Sequence, residues 1–240
     1  MTEATKSATK NARKTVAITG AGGALADAVI DTFKRAGWNL ALFAYSAASK
    51  AKLEQAHPKS FVVQADLSQE DDAREAVERS LEHYGQLDAL LNIAGGFAMS
   101  SAVETSVQDL DKQLTLNLKT AFNATRAALP PMLERGTGFV VGVGAKPAQG
   151  GAANMRPYAA SKAALVTYLA SVRAEVESKG VGVSLLYPMG TIDTPANRES
   201  MPNADPQTWI DPYELAQSML HLVTRDSRGR IHDLRVYPPS

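Results

Sequence analysis

The chain has 240 residues, 45% hydrophobic and 21% charged, which is the composition of a folded globular protein long enough to bury one large core. Its 25 basic and 25 acidic side chains cancel, so no general electrostatic pull toward nucleic acid or an anionic membrane is expected. There is no cysteine, which excludes disulfides, thiolate zinc sites and cysteine-ligated iron–sulfur clusters and is compatible with the expected cytoplasmic location.

Residues 1–14, MTEATKSATKNARK, are polar and basic with no apolar run behind them. They predict a disordered tail rather than a secretory leader, ahead of a single domain over 15–240. TVAIT (15–19) is a β-branched apolar run that stops at a glycine cluster. A helical pattern follows from about Ala24 to Ala36 and ends at Gly37, as a C-terminal glycine ends a helix. NLALFAY (39–45) and SFVVQA (60–65) read as strands. Ser68 predicts an N-cap, with Gln69, Glu70 and Asp71 opening a helix that reaches about His83. DALLNIA (88–94) is a buried strand, and 107–134 a long helix that Pro130 and Pro131 should bend or end early. GFVVGVG (138–144) is a strand and 157–178 a helix; VGVSLLY (181–187) and DLRVYP (233–238) are strands on either side of a helix near 212–224. Strands and helices alternate, and the strands are mostly continuously apolar, so the fold class is α/β with a parallel sheet of about seven strands covered on both faces. The irregular segment 189–211 is predicted to be a lid. No apolar run approaches the ~20 residues a membrane helix needs.

Three features carry chemistry. In TVAITGAGGALA a strand, a glycine-rich turn and a helix start follow one another; such a turn lets the backbone approach a pyrophosphate at the positive end of the helix. Tyr158 and Lys162 are four residues apart and share a helix face. A phenol with pKa ~10 exchanges protons poorly at neutral pH, and a neighbouring ammonium should lower that value. The third feature is an absence: residues 138–157 contain neither Ser nor Thr.

In this order the motifs resemble the short-chain dehydrogenase/reductase family from about residue 15 to 238. The resemblance implies a single-domain Rossmann fold, doubly wound, and an NAD(P)(H)-dependent oxidoreductase acting on a small molecule. Thr19 and Gly20 match the family turn TGxxxGxG, while Ala24 and Ala26 replace its last two glycines, for which a slightly shifted turn is expected. By the same resemblance the cofactor would be held by Gly20, Gly22, Gly23, Leu25, Tyr45, Ser46, Asp66, Leu67, Asn92, Ala94, Gly95, Pro188, Ile192 and Thr194, together with Tyr158 and Lys162. Tyr158 would donate the proton, Lys162 would tune it and bond the nicotinamide ribose, and Asn117 in TLNLK would support a proton-relay water. Family members commonly pair subunits through the helices that fall here at 107–134 and 157–178, so a homo-oligomer, dimer or tetramer, is implied.

An acid at the end of the second strand would hold the 2′-hydroxyl of NAD. None lies between Trp38 and Leu53, whereas Lys50 and Lys52 lie close by; NADP(H) is therefore preferred, with NAD(H) open. The family serine after the fifth strand aligns with Ala145. A narrower resemblance, carried by AGGF (94–97), GAK (144–146), the Tyr–Lys pair and IDTPANRESMPNAD with Trp209, is to quinonoid dihydropteridine reductase and related bacterial reductases. Those also lack the serine, because hydride enters an electron-poor conjugated ring. Substrate contacts are expected from Phe97, Ala145, Lys146 and Met155, with Met99, Met201 and Trp209 completing the walls. Two other readings stay open: a ketone or 3-oxoacyl reductase in which water, Asn154 or a backbone N–H replaces the serine, and a non-catalytic dinucleotide-binding sensor or scaffold. The four histidines show no metal-ligand spacing, so no metal is expected.

Overall fold

The chain hydrogen-bonds into a seven-stranded sheet in the order β3-β2-β1-β4-β5-β6-β7, every pairing parallel. The strands are β1 (Thr15–Ile18), β2 (Asn39–Ala44), β3 (Phe61–Gln64), β4 (Ala89–Asn92), β5 (Gly138–Val143), β6 (Val181–Pro188) and β7 (Asp233–Val236). This computed structural model describes residues 13–239. Of the tail predicted to be disordered over 1–14, residues 1–12 lie outside the described residues; the last two are tied to the domain, the Lys14 carbonyl accepting from Asn39 N at 2.8 Å and the Arg13 carbonyl from Gln86 Nε2 at 3.0 Å.

Both faces of the sheet are buried, which is why its strands read as unbroken apolar runs. Val16 and Ile18 point into one layer beneath α1 (Ala26–Arg35) and α8 (Pro212–Thr224). Between them Ala17 points into the other layer, under α3 (Glu70–Tyr84), α5 (Thr120–Arg135) and α6 (Arg156–Val176). β1 is flanked by β2 on one side and β4 on the other, so the chain reverses its direction of travel there. In an open parallel sheet that reversal opens a crevice at the carboxyl ends of the strands.

Four local expectations change. A helix α2 (Ala47–Ala56) follows β2 where none is legible in the sequence; it buries only Leu53, so it has no apolar stripe to betray it. Ser68 does not cap α3: Gln69 precedes the helix without a side-chain cap, and Glu70, Asp71 and Asp72 serve its positive end instead. The long helix predicted over 107–134 is α4 (Val107–Leu114), a π-helical turn (Thr115–Lys119) and α5. Pro130 and Pro131 do not end α5, which continues to Arg135 and stops at Gly136. The carbonyls these prolines deprive of donors belong to exposed Arg126 and half-buried Ala127, where water can serve them. Finally, residues 189–211 are less irregular than predicted. They hold α7 (Pro195–Ser200), a 3₁₀ turn (Pro206–Thr208) and a bridge between Ile192 and Ile210.

Candidate active site

The turn after β1 is fastened to the turn after β4 by one buried hydroxyl. Thr19 Oγ1 donates to the Leu91 carbonyl at 3.2 Å and accepts from Ile93 N at 3.1 Å and Ala94 N at 3.0 Å. The backbones then pass so closely that a Cβ on Gly20 would lie 2.7 Å from Ala94 Cα, and Gly20 also has φ +63°, a conformation side chains resist. A Cβ on Gly22 would lie 2.1 Å from Ser49 Oγ on α2. These two positions form a bare backbone surface leading to the N-terminus of α1. It opens into a cleft of roughly 1510 Å³ that runs along the carboxyl ends of the central strands.

At the other end of the cleft, Asn117 sits within the π-helical turn and is fully buried. Such turns inside α-helices recur at functional sites. Its Oδ1 accepts from Gly96 N, and its Nδ2 lies 3.0 Å from each of the Gly96 carbonyl, Gln113 Oε1 and Ser161 Oγ. Ser161 Oγ donates to the Tyr158 carbonyl at 2.9 Å, so this network joins the loop after β4 to the first turns of α6. Lys162 is buried and donates from Nζ to the Val143 carbonyl at 2.9 Å. Burial pulls its ammonium down to about 8, and burial pushes the half-buried Tyr158 phenol up to about 12. The expected lowering of the phenol by Lys162 is therefore not what the protein alone produces: desolvation dominates. A phenol so shifted stays protonated near neutral pH. Phe97 stands edge-on to the Tyr158 ring, with centroids 5.0 Å apart and planes at 82°. Ala145, buried, follows β5 at the predicted serine position, and exposed Lys146 begins a 3₁₀ turn beside it.

The family model for the short chain dehydrogenases matches residues 14–205. The chain belongs to the short-chain dehydrogenase family. An uncharacterized oxidoreductase of Staphylococcus aureus is 25% identical over 94% of this chain and 97% of its own length. One from Staphylococcus saprophyticus is 24% identical over the same shares of the two chains. The solved structure of a short-chain dehydrogenase from Streptomyces avermitilis has the same fold, with a TM-score of 0.82 at 24% identity, covering 95% of this chain and 89% of that one.

A short-chain dehydrogenase is an NAD(P)-dependent oxidoreductase, and the residues present fit a nicotinamide dinucleotide. The side-chain-free surface at Gly20 and Gly22 leads to a helix N-terminus, which is what a pyrophosphate requires. Of the predicted cofactor contacts, Gly20, Gly22, Gly23, Leu25, Tyr45, Asp66, Leu67, Ala94, Gly95, Pro188, Ile192 and Thr194 line the cleft, as do Asn117, Tyr158 and Lys162 and the substrate candidates Phe97, Ala145, Lys146 and Met155.

Two predicted cofactor contacts lie elsewhere. Ser46 caps α2, accepting from Ser49 N at 3.2 Å, and it is Ser49 that reaches the cleft. Asn92 is buried behind the dehydrogenase's cleft, donating to Thr125 Oγ1 at 2.9 Å. Trp209 is also not a wall of the cleft; it is buried beside Ile210, whose backbone pairs with Thr191 and Asp193. Asn154, weighed as a stand-in for the serine, is exposed and outside the cleft. The sequence reading missed Gly96, Gln113 and Ser161. Gly96 lies within AGGF and Ser161 directly precedes Lys162, whereas Gln113 is revealed only by its contact with Asn117 one helical turn away. Among the described residues no group of His, Asp and Glu could hold a metal, and no helix is long and apolar enough to cross a membrane.

Proposed function

We propose that this dehydrogenase reduces a small, flat, electron-poor conjugated compound, with a quinonoid dihydropterin-like ring as the first candidate, and that it prefers NADPH. The observation that carries the substrate reading is the buried alanine at position 145 in the cleft that holds Tyr158. A carbonyl reductase gathers hydrogen-bond donors around a developing alkoxide, each typically worth a few kcal/mol. Here the place of one such donor is filled by a methyl group. A conjugated ring that spreads the incoming charge over several atoms does not need it. A bound NADPH would supply the hydride. Tyr158 would supply the proton, Lys162 would hold the ribose beside it, and Asn117 keeps the Gly96 turn and Ser161 in place behind them. The segment 189–211 acts as the lid, with Met201 reaching the cleft.

The cofactor preference rests on the end of β2. Ala44 and Tyr45 stand where a carboxylate would repel a 2′-phosphate, and α2 begins directly afterwards with its N-terminal amides. Lys50 is on the same helix, 3.6 Å from Glu54. Exposed Val107, Leu110 and Phe122 on α4 and α5 support subunit pairing through those helices; a cytoplasmic location is the reading compatible with a chain free of cysteine.

Fluorescence titration with NADPH and NADH, followed by steady-state rates on a quinonoid dihydropterin, a quinone and simple ketones, tests both parts. We expect NADPH to bind at least tenfold more tightly and the conjugated substrates to exceed the ketones in kcat/KM. Tighter NADH would refute the reading of Ala44; ketones reduced as fast as the conjugated compounds would refute the reading of Ala145.

A further inference from the structure

The wall of the cleft that carries Phe97 has no regular secondary structure. Residues 96–105 form neither helix nor strand, yet they hold an aromatic ring edge-on to Tyr158. Three ties fix them. At the inner end Asn117 grips both backbone groups of Gly96. In the middle Ser100 N donates to the Asn154 carbonyl at 2.9 Å. At the outer end the Arg156 guanidinium donates to the Ser101 carbonyl and, at 2.7 Å, to Thr105 Oγ1. The single proton of Thr105 goes to the Ser101 carbonyl at 2.8 Å, so its oxygen must accept from Arg156 and from Ser100 Oγ at 2.6 Å. The cluster is therefore donor-matched around one guanidinium.

Of the two residues on the far side of these ties, Arg156 stands where local preference opposes it and Asn154 where few side chains other than asparagine are tolerated. Arg156 is the first residue of α6, where a cation faces the positive end of the helix dipole, and it makes no ion pair among the described residues. Asn154 has φ 60°, the only positive value outside glycine among the described residues, and from that turn its carbonyl reaches Ser100 N. A local rule broken without local compensation, as at Arg156, marks a place where tertiary contacts decide.

We propose that Arg156 and Asn154 form a latch between the start of α6 and the 96–105 segment, and that Arg156 is thereby a positioning residue that sets the Phe97 wall against Tyr158. The latch rests on the reading of this cleft as the substrate site. Because Arg156 uses neutral acceptors, its grip should not depend on the protonation of any partner. Its effect falls on substrate binding through Phe97, not on the proton transfer itself.

Hydrogen exchange on the full chain, with no cofactor added, reads the latch directly. Arg156→Ala should speed exchange of the bonded amides in 97–105, those of Ser100, Glu104 and Thr105, about tenfold, the size expected for losing hydrogen bonds from a charged donor at an exposed site. The sheet and the later turns of α6 should keep their protection. Asn154→Gly, which keeps the left-handed turn, should leave the segment protected, whereas Asn154→Val should not. With 9,10-phenanthrenequinone as substrate and NADPH in excess, Arg156→Ala should raise KM about tenfold and leave kcat nearly unchanged, Arg156→Lys should recover part of the loss, and in a Phe97→Ala background the Arg156 substitution should have no further effect. Unchanged exchange at 97–105 in Arg156→Ala, or effects of Arg156 and Phe97 that multiply independently, would overturn the latch. A parent enzyme inert toward the quinone would instead count against the substrate reading, and the exchange comparison would still decide the latch.

Discussion

Replacing Lys162 by methionine separates what this residue does for stability from what it does for catalysis. The side chain is buried, and its ammonium titrates at about 8 in the folded protein against 10.5 when exposed. Between those values the unfolded chain holds a proton that the folded chain has released, so stability rises with pH across that window, and the gain is lost as pH falls from 10.5 and is gone once it has passed about 8. At about 1.4 kcal/mol per pH step, Lys162 accounts for roughly 3 kcal/mol of pH-dependent stability, and most of that falls below pH 10. Tyr158 and Tyr168 are both pushed up to about 12, so their opposite contribution begins only above the ordinary phenol value of 10. Urea unfolding at pH 7.5 and pH 10 therefore isolates the lysine. The parent should gain about 2 to 3 kcal/mol between these conditions beyond any gain by Lys162→Met. At pH 7.5 the variant is relieved of a buried charge but leaves the Val143 carbonyl without its 2.9 Å donor, a loss of about 1 kcal/mol, so it should be as stable as the parent or more so. Its turnover should nevertheless collapse, as expected where a strained group is retained for function. If Lys162→Met shows the same pH dependence as the parent, the charge is not buried as described and its role beside Tyr158 fails with it.

Tyr158→Phe should lower kcat by about 10² to 10⁴, the usual worth of a positioned proton donor, while NADPH affinity and thermal stability stay near those of the parent because the phenol oxygen makes no hydrogen bond within the described protein. Full activity in this variant, measured by NADPH oxidation, would remove Tyr158 from the mechanism. Gly20→Ala should weaken NADPH binding at least tenfold and cost about 1 to 3 kcal/mol of stability, since its methyl would meet Ala94 Cα at 2.7 Å on a left-handed backbone; fluorescence titration and thermal melting read the two effects.

The sequence alone determined the alternation of strands and helices, the parallel sheet and the order of the motifs. These follow from hydrophobic runs and from glycines whose backbone freedom is local. It also determined that Tyr158 and Lys162 share a helix face, since four residues make slightly more than one helical turn whatever surrounds them. Tertiary structure alone decided the sign of the Tyr158 shift, because desolvation depends on what covers the ring and not on its neighbours in the chain. It decided, too, that Ser49 and not Ser46 reaches the cleft, that Asn92 turns inward to Thr125, and that a helix with almost no buried face follows β2. The Arg156 contacts with Ser101 and Thr105 span more than fifty residues of chain. No periodicity encodes such a pairing, which exists only once the sheet has brought the loop after β4 beside the start of α6.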